Sequence, residues 1–98
     1  MAFVDRRRVA DVSLRPAGGE PVVLAQDAAM NLVGRHFVIL AQGREVFRHP
    51  HRALEAYFLM SMNGMDFIFD DREGRKTLTV HFVQDVKTPR NVAPRPRP

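Results

Sequence analysis

Two runs of alternating side chains near the C-terminal end commit that part of the chain to sheet. Met65, Phe67 and Phe69 alternate with Asp66 and Asp70, and Leu78, Val80 and Phe82 alternate with Thr77, Thr79 and His81. A period of two sends one set to each face of a strand, one face buried and the other wet. Asp71-Arg72-Glu73-Gly74-Arg75 lies between the runs as a charged turn, so the pair reads as a hairpin.

The same reasoning yields two earlier hairpins. Ala10, Val12 and Leu14 alternate with Asp11, Ser13 and Arg15, Pro16-Ala17-Gly18-Gly19 breaks the run, and Glu20 to Ala25 is the return strand. Arg35 to Ala41 is rich in β-formers, and after Gln42-Gly43 the run Arg44 to Phe47 continues it, with Gly43 in the turn.

Two segments carry helix punctuation instead. Pro50 suits a first helical position and Gly64 a left-handed exit, which predicts the main helix over residues 50–62. Asp27 as N-cap and Gly34 beyond the end make residues 27–33 a candidate for a second helix of barely two turns. The expected fold is therefore α+β: an antiparallel sheet or small open barrel of about six strands in three hairpins, with one main helix packed across it.

Ninety-eight residues support one core. Charge divides the chain further. Lys87, Arg90, Arg95 and Arg97 stand without an acid in residues 87–98, leaving 11 bases against 11 acids in residues 1–86. Arg6, Arg7 and Arg8 concentrate positive charge at the other end. The expected organisation is a basic N-terminal arm (1–8), one globular domain (9–86) and a basic tail (87–98) whose four prolines in its last ten residues favour an extended conformation. The absence of cysteine excludes disulfides, thiolate metal sites and thiol nucleophiles, and suits a reducing compartment, so a cytoplasmic location is expected. No signal peptide is read in the first residues, and the longest apolar run, Phe37 to Ala41, is far short of the roughly 20 residues that span a bilayer. No membrane partner is expected.

Motifs that carry chemistry are scarce. Of His36, His49, His51 and His81 only His49 and His51 are close in sequence, and no metal-ligand spacing occurs. Asp66, Asp70, Asp71 and Glu73 form the densest acidic group, but without the frame of a calcium loop they read as a solvated turn. Ser13 and Ser61 lie in no nucleophile elbow, and no phosphate-cradling glycine motif is present. The expectation is no enzyme, no cofactor and no metal.

The main helix supplies the functional argument. Wound at 100° per residue, Ala53, Leu54, Tyr57, Phe58 and Met60 share one face, whereas Leu59 and Met62 project on the opposite side with Arg52, Glu55 and Ala56. One sheet cannot cover both faces. The preferred reading is a second surface buried against a partner, with Leu59, Met62, Arg52 and Glu55 at the interface; the alternatives are that Phe3-Val4 folds over it or that these are the scattered exposed apolar side chains any soluble domain carries. The resulting expectation is a structural or interaction subunit that forms a homo-oligomer or packs with other protein subunits, one specific version being a component of a virus-like or phage-like particle. The alternative is a small nucleic-acid-binding or regulatory protein that grips phosphates through Lys87, Arg90, Arg95 and Arg97 of the tail.

Overall fold

The computed structural model describes residues 4–83. Seven antiparallel strands form one sheet: β1 (Arg7–Pro16), β2 (Val22–Val33), β3 (His36–Ala41), β4 (Arg44–Pro50), β5 (Glu55–Phe58), β6 (Gly64–Asp71) and β7 (Gly74–Phe82). Their spatial order is β4-β3-β2-β1-β7-β6-β5, so the chain lays out one meander, crosses over and lays out another. A three-residue 3-10 turn, His51–Ala53, links β4 to β5 and is the only helical element of three or more residues among the described ones.

The sheet is curled into a half-barrel. In a flat sheet β3 and β6 would lie four strand spacings apart, about 19 Å. Instead the rings of Phe37 on β3 and Phe67 on β6 stand 4.7 Å apart, and Phe47 on β4 meets Phe69 on β6 at 5.4 Å. Val4, Val9, Val12, Met30, Ile39, Leu54, Met65, Leu78 and Val80 fill the rest of the concave side. Val4 is in this core and β1 starts at Arg7, so residues 4 to 8, expected as part of an arm, run straight into the sheet.

Bulges accompany the curl. On β1 the register with β7 slips between Val9 and Asp11, so Val9 and Val12 both point inward although they are three residues apart, and Ala10 turns to solvent. A bulge of this kind adds one residue to a strand and sharpens its twist. Asp27, opposite this level on β2, sits at φ 57° inside the strand. Further slips occur between Val12 and Ser13 against β2 and between Ile39 and Leu40 against β4.

All three expected hairpins pair, as β1 with β2, β3 with β4 and β6 with β7. Gln42 and Gly43 both take positive φ (54° and 78°), the pattern of a two-residue type I′ turn whose twist matches that of the strands.

The α+β class and both helices are overturned. Residues 27–33 continue β2 and pair with β1 and β3. Asp27 is no N-cap, and Gly34 (φ 60°) opens the tight β2–β3 turn rather than closing a helix. Residues 50–62 hold the end of β4, the 3-10 turn, β5 and the start of the 59–63 turn. Pro50 ends an outer strand there. Gly64 is not a left-handed exit; its φ is not positive, and the left-handed residue is Met62 (φ 64°). Glycine is needed at 64 because a Cβ there would collide with the Val80 carbonyl oxygen on β7 and come within 2.8 Å of Leu59 Cδ1. An isolated thirteen-residue helix is marginal in water. Pairing with β6 gives the same residues backbone hydrogen bonds and places Leu54 in the core.

Gly64→Ala is therefore expected to destabilise the domain by about 2 kcal/mol, the usual scale for forcing a methyl into filled space. Urea unfolding of the two proteins checks this, and an unchanged midpoint would contradict so close a β6–β7 approach.

Candidate interaction edge

A half-barrel leaves backbone edges that a closed barrel would not have, and an unpaired edge is a template for another strand. The open edges among the described strands differ in chemistry, and the shortest, the end of β6 beyond β5, carries Asp70 and Asp71. The edge of β4 carries Arg44, Pro50 and the ion pair of Arg48 with Glu45 (Nε to Oε2, 2.9 Å), and a bulge at its pairing with β3. Charge, proline and bulges are the standard means of blunting an edge. The first half of β2, beyond the reach of β3, exposes Val22 and Val23 but is broken by its slip against β1 and by the left-handed Asp27.

β5 has none of these devices. It pairs with β6 in unbroken register from Glu55↔Ile68 to Phe58↔Met65, and Glu55 is its only charged residue. Its side chains alternate: Ala56 and Phe58 share the concave side with Phe67 and Met65, and Glu55 and Tyr57 share the convex side with Ile68 and Asp66. The Tyr57 hydroxyl donates to Glu55 Oε1 at 2.9 Å, which holds the phenol above its usual range because the carboxylate would repel a phenolate. Beside this strand large apolar groups face solvent: Tyr57 is 53% exposed, Phe58 45%, Met62 63% and Met60 wholly so. Phe58 also meets Phe82 of β7 edge to face at 6.5 Å.

The helix that the wheel reading of Leu59, Met62, Arg52 and Glu55 assumed does not form. Arg52 belongs to the 3-10 turn, Glu55 to β5, and Leu59 and Met62 to the turn before β6; no helix face unites them. Leu59 is half-buried over Gly64, and its amide donates to the Gly64 carbonyl at 3.0 Å, while Met62 projects outward. Tyr57, Phe58 and Met60, which the wheel would bury, are exposed. Strand periodicity puts Tyr57 and Phe58 on opposite faces of an edge, which no helical reading could show. Lys87, Arg90, Arg95 and Arg97 lie outside the described residues.

The titratable groups are dispersed. Among the described residues no three of His, Asp and Glu converge to hold a metal. Each acid of the 66–73 group has a partner: Asp66 accepts from the Thr79 hydroxyl (2.6 Å), Asp70 pairs with Arg75 (3.3 Å), and Asp71 and Glu73 share Lys76 (2.8 and 2.6 Å). The Lys76 ammonium holds Asp71 below the usual carboxylate range, and Asp71 and Glu73 in turn raise Lys76. His81 Nδ1 lies 2.8 Å from Asp11 Oδ1 on the convex side, a pairing of residues 70 apart that only the β1–β7 register creates. Ser13 and His81 line the same shallow depression, with Arg15, Asp66 and Thr79, and it is broadly open to solvent.

No known family, curated protein or solved structure matches this chain. No helix among the described residues is long and apolar enough to cross a membrane.

His49 lies against the aromatic side of the core, with its ring 4.7 Å from Phe69 and 6.3 Å from Phe47. Burial against these rings lowers its pKa from the usual 6.5; the Asp71 carboxylate opposes that shift and His36 adds to it. The folded imidazole therefore takes up its proton less readily than the unfolded one. Its contribution to stability is complete above the ordinary histidine range and is lost as the pH falls through it. Replacing His49 by Phe is expected to flatten the loss of stability between about pH 7 and about pH 5, near the unperturbed histidine pKa. Urea melts at several pH values measure this, and an unaltered slope would assign the effect elsewhere.

Proposed function

We propose that this protein is a non-catalytic interaction subunit that self-associates or packs into a larger assembly, using the β5 edge and the 59–62 turn as its contact surface. One observation carries the reading: β5 is the sole regular, undefended edge among the described strands, and it is flanked by Tyr57, Phe58, Met60 and Met62, all largely exposed. A domain that kept this edge in water would gain from a lysine or proline there, as from the proline on β4. Backbone groups along such an edge supply affinity, and alternate side chains supply selectivity. Aromatic residues and methionine are the types enriched where protein surfaces meet. The acids of the 66–73 group are engaged by local partners, which supports a binding role over a catalytic one.

Light scattering across a concentration series tests the reading. The unaltered chain is expected to exceed its monomer mass of 11.2 kDa as concentration rises. Tyr57→Lys and Met60→Lys, both at exposed positions, are expected to weaken association by about tenfold or more while leaving the circular dichroism spectrum unchanged, a loss of about 1.4 kcal/mol. A strict monomer throughout, or association indifferent to both lysines, removes the proposal.

A further inference from the structure

Resting on the reading of β5 as an association edge, we infer that its occupant is β5 of a second copy, running antiparallel about a twofold axis at Ala56. The direction of the backbone sets the register. The Leu59 amide bonds the Gly64 carbonyl, and Tyr57↔Asp66 and Glu55↔Ile68 follow in the same frame. Because bonded and non-bonded positions alternate along an antiparallel pair, Glu55 and Tyr57 turn their backbone groups toward β6 and Ala56 turns its N–H and C=O to the open side. Two Ala56 residues meeting on a twofold axis exchange two N–H···O=C bonds, and the small side chains at the axis present no obstacle.

Side-chain chemistry agrees with that register. On the convex face Glu55 of each copy stands opposite Tyr57 of the other. The phenol already donates to a Glu55 carboxylate within one chain, and the same acceptor is offered across the pair. Glu55 is the only charge on β5, so no acid meets an acid. The pairing stops short of Phe58, because Leu54, which would stand opposite it, already donates its amide to the His51 carbonyl at 3.3 Å and buries its side chain in its own core. Pairing β5 with the β4 edge of a second copy would instead meet Pro50, which has no N–H to donate, and the irregular register of β4 between Glu45 and Phe47. Once two β5 strands have paired, every remaining open edge among the described strands is a blunted one. An isologous pair of this kind closes as a dimer instead of extending into a fibre.

The chain has no cysteine, so Ala56→Cys introduces its sole thiol. Bonded partners in an antiparallel pair have Cα atoms about 5.5 Å apart, within the roughly 4.4–6.8 Å range that a disulfide bridges. Under mild oxidation the Ala56→Cys variant is expected to run at twice its mass and to return to a single chain on reduction, while Arg44→Cys, on the β4 edge, stays single. Ala56→Pro removes the donor at an edge position where proline is tolerated. It is expected to keep the wild-type circular dichroism and melting temperature while weakening the dimer about tenfold or more. If the unaltered chain is a monomer at every concentration, the association reading itself falls and takes the inference with it. If the chain associates but Ala56→Cys does not cross-link, or the proline leaves association intact, the twofold β5 pairing is overturned and the association reading stands. Species larger than a dimer in the unaltered chain would overturn closure.

Discussion

The contact between Phe37 and Phe67 across the concave face is the interaction on which the rest of the molecule depends. Those rings lie on strands that a flat sheet would keep far apart, so their approach at 4.7 Å is the curl of the sheet expressed at one point. Each fully buried ring removes enough apolar surface from water to contribute a few kcal/mol. With Phe47, Phe69, Met30, Ile39, Leu78 and Val80, they let a one-layer sheet make its own core, with no helix among the described residues to cover it. The β1 bulge serves the same end by turning both Val9 and Val12 inward.

A core made by curling has a consequence for edges. Closure into a full barrel would satisfy every strand, but β4 and β5 stay at opposite ends of the strand order, joined in sequence by the short 3-10 turn. The chain treats the two ends differently. At β4, arginines, a salt bridge, a bulge and a proline discourage pairing; at β5, one glutamate and two exposed aromatic rings do not. That difference is a chemical asymmetry written in side chains, and the functional proposal is built on it.

Much of the sheet was legible from residue order. The alternation of Met65 to Asp70 and of Thr77 to Phe82, and the glycines at 18, 43 and 74, located three hairpins that form as expected. What misled was punctuation with two meanings. Pro50 and Gly64 bracket a helix in one reading; in the structure the proline ends an outer strand and the glycine admits the close approach of the Val80 carbonyl. Asp27 and Gly34 gave the same false frame to the second half of β2. The partition of Leu59 and Met62 from Tyr57 and Met60 followed from helical geometry and disappeared with it.

Local sequence by itself determined where the three hairpins turn and which residues of β6 and β7 face inward, because turn chemistry and a period of two act between near neighbours. Only the tertiary structure decided that residues 55–58 become a strand, that Ala10 bulges and that His81 meets Asp11. Each of these depends on a partner far away in the chain. The pairing energy of β6 with β5, and the inward demand of a curled core on β1, outweighed the local preferences that residue order alone can express.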